Sequence, residues 1–395
     1  MQRQCMINLQ TIDLKTFLGE YWQKKPLLIQ NALPDFVPLL NKNELAGLAL
    51  EEDVESRIVF ETPGKPPFWQ VKRGPFTSRV LCALPKTHWT LLIQGVEQLI
   101  PDMSDLLSHF DFIPQWRFDD LMISYAVKEG SVGPHYDNYD VFLFQASGQR
   151  RWSLTTQHCN ETNALEGVDL RIMESFEVEE EYILMPGDML YLPPHVGHHG
   201  VALDDDCMTY SFGYRSYQGQ ELWDSYGDYF SANAPNTSLY KDPNWGNNNA
   251  TSSIPKQAWV NARALLMEMI EDESKLKSWF GCFATRLDEQ AELHMPMPLE
   301  EGEDSLKAFR QALKRSHQLI RSPSCRMAYI EEREGVIQIF INGCEWGTEG
   351  VTPDLMRQLA NHRKVEKSSL MSYLGQQKNE FFLYELWKLQ WIEVI

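Results

Sequence analysis

Two residues that can bind a metal, His135 and Asp137, stand two positions apart after a Gly-Pro pair. In an extended chain alternate side chains point to the same side, so this imidazole and this carboxylate would face one direction. Three more histidines, His195, His198 and His199, lie close together further along the chain. Two imidazoles and one carboxylate on one face form the ligand set of non-heme Fe(II) oxygenases, which leaves coordination positions open. The pattern predicts an iron site that uses His135, Asp137 and one of the three later histidines.

Short strands must position these side chains. The three histidines follow a Pro-Gly-Asp turn at residues 186–188 and a strand that the apolar pattern predicts over residues 189–192. Further strands are predicted over residues 121–127, 141–145, 152–155, 181–184 and 208–214. Closely spaced short strands with turn residues between them favour a barrel or sandwich built mainly from β-strands.

A second chemical signal is Arg150, which follows a predicted turn at residues 146–148. Arg150 and Trp152 would share one face of the next strand, with Arg151 on the other face. A buried arginine is costly unless it is paired. A dicarboxylate ligand would pair with Arg150 through two parallel hydrogen bonds, and an ion pair with a core carboxylate such as Asp140 is the alternative.

These motifs resemble those of the JmjC-type 2-oxoglutarate oxygenases and, within them, those of the bacterial ribosomal oxygenases. The resemblance rests on residues 21–29, 119–124, 132–142, 148–152, 186–200 and 211–215. It implies a double-stranded β-helix, an Fe(II) cofactor, and 2-oxoglutarate and O2 as cosubstrates. It also implies that the protein hydroxylates an arginine side chain of a basic large-subunit ribosomal protein.

The resemblance also assigns roles to single residues. It implies His135, Asp137 and His198 as iron ligands, although His199 stays open as the third ligand because it is an extra imidazole beside His198. Arg150 matches the residue that binds the distal carboxylate of 2-oxoglutarate, and the candidate hydroxyl partner of that arginine is Ser124. The candidate substrate contacts are Asp120, Tyr139, Ser211 and Arg215.

The composition divides the chain into three predicted parts. Residues 1–216 would form the JmjC-type catalytic domain with an N-terminal extension, and residues 217–304 a helical segment. Residues 305–395 would form a winged-helix-like domain that starts with a helix over residues 305–321. The resemblance implies that the helical segment builds a homodimer, and this segment carries the apolar residues Trp259, Leu265, Leu266, Met269 and Ile270.

The charge of the chain narrows the choice of partners. The 395 residues carry a net charge of −19; residues 306–395 have 13 basic and 10 acidic side chains, a net of +3, which leaves −22 for the rest. That balance favours a basic partner and gives only weak support to a nucleic-acid contact. No apolar run approaches the roughly 20 residues of a membrane span, and the N-terminus lacks a signal segment. The sequence therefore predicts a cytoplasmic protein.

Two other functions fit parts of the pattern. A JmjC lysine demethylase would use the same iron site but would oxidise an N-methyl group, so the mass of the product distinguishes it from a hydroxylase. A cupin-like DNA-binding regulator without turnover would share the barrel and the winged-helix-like tail. The intact ligand set and Arg150 argue against this regulator.

Overall fold

The computed structural model describes residues 7–9, 12–34, 36–65, 68–100, 102–233, 238–245, 252–300 and 305–395. Within these ranges the strands are β1 (Leu27–Ile29), β2 (Ser56–Glu61), β3 (Trp69–Arg73), β4 (Trp89–Ile93), β5 (Phe118–Ala126), β6 (His135–Tyr136), β7 (Asp140–Ser147), β8 (Arg150–Thr155), β9 (Glu180–Leu184), β10 (Met189–Leu192), β11 (Gly197–Ala202), β12 (Cys207–Tyr214), β13 (Gln318–Arg321), β14 (Met327–Glu331), β15 (Ile337–Ile341), β16 (Cys344–Trp346), β17 (Lys364–Glu366) and β18 (Ile392–Val394).

The α-helices in the same ranges are α1 (Leu14–Thr16), α2 (Lys42–Leu48), α3 (Ser78–Cys82), α4 (Val96–Leu99), α5 (Met103–Leu106), α6 (Gly219–Asn233), α7 (Lys256–Ile270), α8 (Glu273–Thr285), α9 (Glu289–Leu293), α10 (Leu306–Arg315), α11 (Pro353–Asn361), α12 (Lys367–Leu370) and α13 (Gln377–Lys388). A π-helical turn follows α1 at Phe17–Tyr21, and short 3-10 turns occur at Leu107–Phe110, Gln115–Arg117, Glu161–Asn163 and Arg333–Gly335.

Two antiparallel sheets build the N-terminal domain. The larger has eight strands in the order β1-β10-β7-β12-β5-β4-β2-β3, and the smaller has four in the order β6-β11-β8-β9. Side chains of both sheets meet in one apolar cluster, in which Val141 and Leu143 of β7 pack with Trp152 and Leu154 of β8. The sheets therefore face each other, as the prediction of a double-stranded β-helix requires. All the strands predicted from the apolar pattern are present, whereas β2, β3, β4, β6 and β11 were missed.

The central strand β7 is buried on both faces because the N-terminal elements cover the outside of the large sheet. Val141 and Leu143 point between the two sheets. Phe142 and Phe144 point the other way, into a larger cluster that contains Phe17 of the π-helical turn. This explains the continuous apolar run of β7, in place of the alternation that a half-exposed strand shows.

The C-terminal region contains a second core. Helices α10, α11 and α13 pack around two three-stranded sheets, β17-β13-β18 and β14-β15-β16, through buried residues that include Phe309, Ile339 and Leu383. The single helix predicted over residues 305–321 is wrong at its end, because α10 stops at Arg315 and the chain continues as β13. The N–H of Ser316 still caps the helix, and residues 318–321 are needed as the central strand of a sheet.

The helical segment lies between these two cores. Helices α6 and α8 pack against each other through Tyr226, Phe230 and Trp279. In contrast, α7 has no buried residue, and its Trp259 and Leu266 side chains are 52% and 50% exposed. The division of the chain at residues 216 and 304 stays a prediction.

The C-terminal region contacts the barrel directly through hydrogen bonds and an ion pair. Arg321 is buried and donates to the carbonyl oxygens of Leu359 and Ala360 and to Oε1 of Gln115. Lys364 Nζ lies 2.6 Å from Asp105 Oδ2. These contacts hold the C-terminal region against the barrel.

Candidate metal and cosubstrate site

The structure brings His135, Asp137 and His198 together. One ligand atom from each of the three residues lies within 4.8 Å of the other two. The rings of His135 and His198 are 4.2 Å apart between centroids, and His198 Nε2 is 3.6 Å from Asp137 Oδ2. The cause lies in the small sheet, where His198 of β11 is the register partner of His135 of β6.

Backbone carbonyls orient both imidazoles. Nδ1 of His135 lies 2.9 Å from the Gly133 carbonyl oxygen, and Nδ1 of His198 lies 3.0 Å from that of Val196. A carbonyl oxygen only accepts, so each Nδ1 carries the proton and each Nε2 keeps its lone pair. This arrangement is the one that metal-binding histidines show in proteins.

Burial keeps the second histidine uncharged. His198 is buried, and this burial, together with the nearby His135, lowers the pKa of His198 to about 4. At neutral pH its imidazole therefore has no charge and can donate its lone pair to a cation. The donor set is chemically suited to Fe(II), since it combines two neutral imidazoles with one carboxylate.

The other two histidines of the cluster lie elsewhere. His199 is the next residue of β11 and pairs in register with Ser153, so its side chain points to the opposite face of the strand. His195 is exposed, and its contribution is a backbone N–H that donates to the Asp137 carbonyl oxygen at 2.8 Å. Of the three histidines that the spacing left open, the structure places His198 beside His135 and Asp137.

Arg150 lies in the same interior with part of its guanidinium unpaired. Its side chain is 2% exposed, its Nε donates to Cys207 Sγ at 3.3 Å, and its buried Nη2 has no partner among the described residues. The turn before it needs Gly148, which has φ +62° and whose Cβ would lie 2.6 Å from the Asp206 carbonyl oxygen. Unpaired buried guanidinium groups are rare because they are costly, so this one is suited to an anionic ligand.

The alternative prediction, an ion pair between Arg150 and Asp140, is wrong. Asp140 accepts from the Tyr191 hydroxyl at 2.6 Å, and its Oδ2 lies 3.4 Å from Arg117 Nη2. It faces the N-terminal side of the large sheet, together with the outward-pointing members of β7. The Asp140 carboxylate is therefore satisfied without Arg150.

One cavity of about 720 Å³ joins these residues. Its walls include the three metal-binding candidates, Arg150, and inward-pointing residues of the large sheet such as Ser124, Thr209 and Ser211. Ser124 and Thr209 are register partners on β5 and β12. Ser124 thus lines the same cavity as Arg150, as expected, and its role as a hydroxyl partner stays a prediction.

The four predicted substrate contacts all line this cavity: Asp120, Tyr139, Ser211 and Arg215. Burial, with repulsion from Asp119 and Glu97, raises the pKa of Asp120 well above its usual value. Its carboxylate accepts from Gln94 Nε2, and no basic side chain lies within ion-pair distance of it in the described ranges. The guanidinium of Arg215, in contrast, is bound by Asp119.

Some residues of the cavity were missed in the sequence. Asp288, Glu289 and His294 lie far along the chain from the metal-binding candidates, yet they form part of the cavity wall. Cys207 carries no motif that would associate it with Arg150.

Over the described residues, helices long and apolar enough to cross a bilayer are absent.

Known proteins match this chain over most of its length. A family model described as a JmjC domain matches residues 105–222, and one described as a ROXA-like winged helix matches residues 268–393. Over 338 residues the chain is 33% identical to the ribosomal protein uL16 3-hydroxylase of Escherichia coli, which covers 84% of this chain and 85% of that protein. It is 40% identical over 229 residues to a probable ribosomal oxygenase of Haemophilus influenzae, covering 58% and 56%.

A solved structure of a ribosomal oxygenase is similar to this chain over nearly its whole length. The structure of YcfD, a ribosomal oxygenase from Escherichia coli, in complex with cobalt and 2-oxoglutarate matches with a TM-score of 0.81 at 29% identity. The match covers 97% of this chain and 98% of that chain. The barrel is thus a JmjC-type double-stranded β-helix with a winged-helix domain after it, which confirms the predicted fold. The chain belongs to the ribosomal oxygenase family.

Proposed function

We propose that this protein is an Fe(II)- and 2-oxoglutarate-dependent dioxygenase that hydroxylates an arginine side chain of a large-subunit ribosomal protein. The observation that carries the proposal is the meeting of His135, Asp137 and His198 in a cavity that also contains a buried guanidinium with an unpaired nitrogen, that of Arg150. The cofactor is Fe(II), and the cosubstrates are 2-oxoglutarate and O2.

His135, Asp137 and His198 are the metal ligands in this proposal. The two imidazoles keep their Nε2 lone pairs for the metal because backbone carbonyls bind their Nδ1 protons, and the Asp137 carboxylate lies within 4.8 Å of both. Three protein ligands leave the remaining coordination positions for the cosubstrates. When bound, the metal would activate O2, the oxidant, so that one oxygen atom enters a C–H bond of the substrate and the other enters the succinate that forms, with CO2, from 2-oxoglutarate.

Arg150 binds the distal carboxylate of 2-oxoglutarate. Its Nε is already held by Cys207, so its free Nη2 is the part that can receive an anion. The surroundings are largely apolar, with Val141, Leu143 and Trp152 in the cavity wall. Exclusion of water strengthens a charge-assisted hydrogen bond of this kind, and Ser124 is a candidate for a second one from the same wall.

The substrate pocket suits a cationic side chain. Asp120 supplies a carboxylate with no ion-pair partner among the described residues, and burial increases the attraction between its ionised form and a guanidinium that docks beside it. Tyr139, Ser211 and Arg215 complete the proposed contacts. The net charge of −22 outside residues 306–395 would favour the approach of a basic ribosomal protein.

The relatives indicate which ribosomal protein to test first as the substrate. The Escherichia coli relative is named for uL16, so uL16 of the same organism is the first protein to test. A ribosomal protein substrate implies that the enzyme works in the cytoplasm. Contact with nucleic acid has little support, because the positive charge of the winged-helix domain is small.

We also propose that the helical segment forms a homodimer. Helix α7 presents an uncovered apolar face with Trp259, Leu266 and Met267, and Trp223 of α6 is 53% exposed. Several exposed apolar side chains on one segment are typical of interfaces between subunits. A second copy of the chain is the occupant that we expect there.

Incubation with Fe(II), 2-oxoglutarate and the organism's extracted ribosomal proteins, followed by intact mass spectrometry, tests the function. The proposal predicts that one protein gains the mass of one oxygen atom, and that fragmentation places it on an arginine. Loss of the mass of a methylene group would indicate the demethylase alternative. No mass change on any ribosomal protein, with active 2-oxoglutarate conversion, would contradict the proposed substrate class.

A further inference from the structure

Part of the cavity wall comes from the C-terminal half of the chain. Asp288 lies just before α9, Glu289 is its first residue and His294 lies just after it, all within the helical segment, and all three line the cavity. The barrel alone therefore does not complete the substrate pocket.

Asp288 makes three contacts that fix its position. Its Oδ1 accepts from the backbone N–H of Ala291 at 2.7 Å and so caps α9. Its Oδ2 lies 3.5 Å from Arg215 Nη2 and 3.7 Å from Arg326 Nη2. The Asp288 carboxylate thus connects Arg215, which follows strand β12, with Arg326, which precedes β14.

Arg326 makes further bonds around the same point. Its Nη2 donates to the Asp119 carbonyl oxygen at 2.7 Å and its Nη1 to the Arg286 carbonyl oxygen at 3.3 Å. The backbone N–H of Arg326 donates to Asn342 Oδ1 at 2.8 Å. The side chain is 15% exposed, so this guanidinium is largely enclosed at the junction of the two domains.

Together these residues form a closed ionic cluster. Arg215 and Asp119 belong to the barrel, where Arg215 binds the carboxylates of both Asp119 and Asp288, and Arg326, just before β14, also approaches Asp288. Two guanidinium groups and two carboxylates balance in charge. The neighbouring Asp120 stays outside the cluster, and among the described residues it has no ion-pair partner.

We infer that Asp288 and Arg326 are positioning residues for the substrate: they hold Arg215 away from Asp120, so that Asp120 is free to receive a cationic side chain. This inference rests on the proposed function. If Asp288 loses its charge, Arg215 keeps Asp119 as its one acidic partner and can turn toward Asp120. A guanidinium that competes for Asp120 would weaken substrate binding without changing the metal or 2-oxoglutarate sites.

The test compares Asp288→Asn, Asp288→Glu and Arg326→Met with the wild-type protein. Asparagine is an equally good helix N-cap, so Asp288→Asn removes the charge and keeps α9. Lys364→Met is the matched control, because it breaks another ion pair between the domains, to Asp105, that does not line the cavity. KM and kcat are measured with recombinant uL16 of the same organism. The Kd of uL16 is also measured for the anaerobic protein with Co(II) and 2-oxoglutarate, and the Kd of 2-oxoglutarate for the Co(II) protein.

We expect Asp288→Asn and Arg326→Met to raise KM and Kd for uL16 by about tenfold, with kcat and the Kd of 2-oxoglutarate unchanged. Asp288→Glu should recover part of the loss, and Lys364→Met should behave as the wild type. An unchanged KM in Asp288→Asn, or an equal loss in Lys364→Met, would overturn the inference. If the wild-type protein itself fails to modify uL16, the proposed function is wrong. If only the variants behave differently from this expectation, the proposed function stands and the positioning role is wrong.

Discussion

Nε of Arg150 donates to Sγ of Cys207 at 3.3 Å, in the buried region between β8 and β12. The same sulfur accepts from Gln145 Nε2 at 3.4 Å. Cys207 therefore directs the guanidinium, because it occupies the Nε donor and leaves Nη2 for the cavity.

This contact predicts a specific effect on cosubstrate binding. Cys207→Ala leaves a buried charged donor without its acceptor, a change that costs about 1 kcal/mol or more. We expect the Kd of 2-oxoglutarate for the Co(II) protein, measured by calorimetry, to rise about fivefold or more, with metal binding unchanged. Cys325→Ala is the control, since Cys325 is equally buried in the winged-helix core. Equal affinities in the two variants would show that Cys207 has no positioning role.

The carboxylate of Asp120 predicts a dependence of substrate binding on pH. Burial, together with Asp119, Glu97 and Asp288 nearby, raises its pKa, while a hydrogen bond from the Gly95 backbone opposes the rise. Only the ionised form attracts a guanidinium, so affinity for uL16 should increase as the pH rises through the raised pKa. Asp120→Asn should lower the affinity at neutral pH by about tenfold and remove this dependence. A variant with the same pH profile as the wild type would contradict this role.

A buried acid beside the cavity predicts a change in stability with pH. Glu97 in α4 accepts from the Leu121 N–H at 2.9 Å, and burial raises its pKa from 4.5 to about 6. The folded state therefore holds the proton more tightly than the unfolded state. The contribution of Glu97 to the free energy of unfolding is fully present below pH 4.5. It falls by about 2 kcal/mol as the pH rises through about 6.

Glu97→Gln stays neutral and keeps an acceptor for Leu121. Its thermal midpoint should exceed that of the wild type at about pH 8, and the difference should shrink toward about pH 5. Thermal unfolding followed by circular dichroism at both pH values measures this change. A difference that does not vary with pH would show that Glu97 is not the group responsible.

The exposed face of α7 predicts that the protein is a dimer. One chain has a mass of 45.8 kDa, so light scattering at micromolar concentration should give about twice that value. Leu266→Asp places a charge in the proposed interface and should yield the monomer. Phe381→Asp is the matched control, because Phe381 is also about half exposed but lies on α13. A monomeric wild-type protein would contradict the proposed interface.

The sequence was informative where chemistry depends on local spacing. The two-residue interval of His135 and Asp137 predicts that both face one way, and the apolar patterns predicted β5, β7, β8, β10 and β12. Strand β11 was missed because its sequence Gly-His-His-Gly-Val-Ala has few apolar residues, although alternation along it decides which histidine faces the iron site.

Other features depend on contacts between distant parts of the chain. Cys207 lies 57 residues from Arg150, and Arg326 lies 207 residues from Asp119, so neither contact has a local signal. The end of α10 was also set by distant residues, since β13 forms the centre of a sheet with β17 and β18. Composition cannot indicate such pairings, because they arise from topology.

The most direct test of the proposed site compares two adjacent histidines of β11. Formation of succinate from 2-oxoglutarate, dependent on Fe(II) and O2, is measured for His198→Ala and for His199→Ala, with circular dichroism to verify folding. We expect His198→Ala to lose the activity, because it removes a metal ligand, and His199→Ala to retain it, because that side chain points to the other face of the strand. Activity that survives in His198→Ala, or is lost only in His199→Ala, would contradict the proposed metal site.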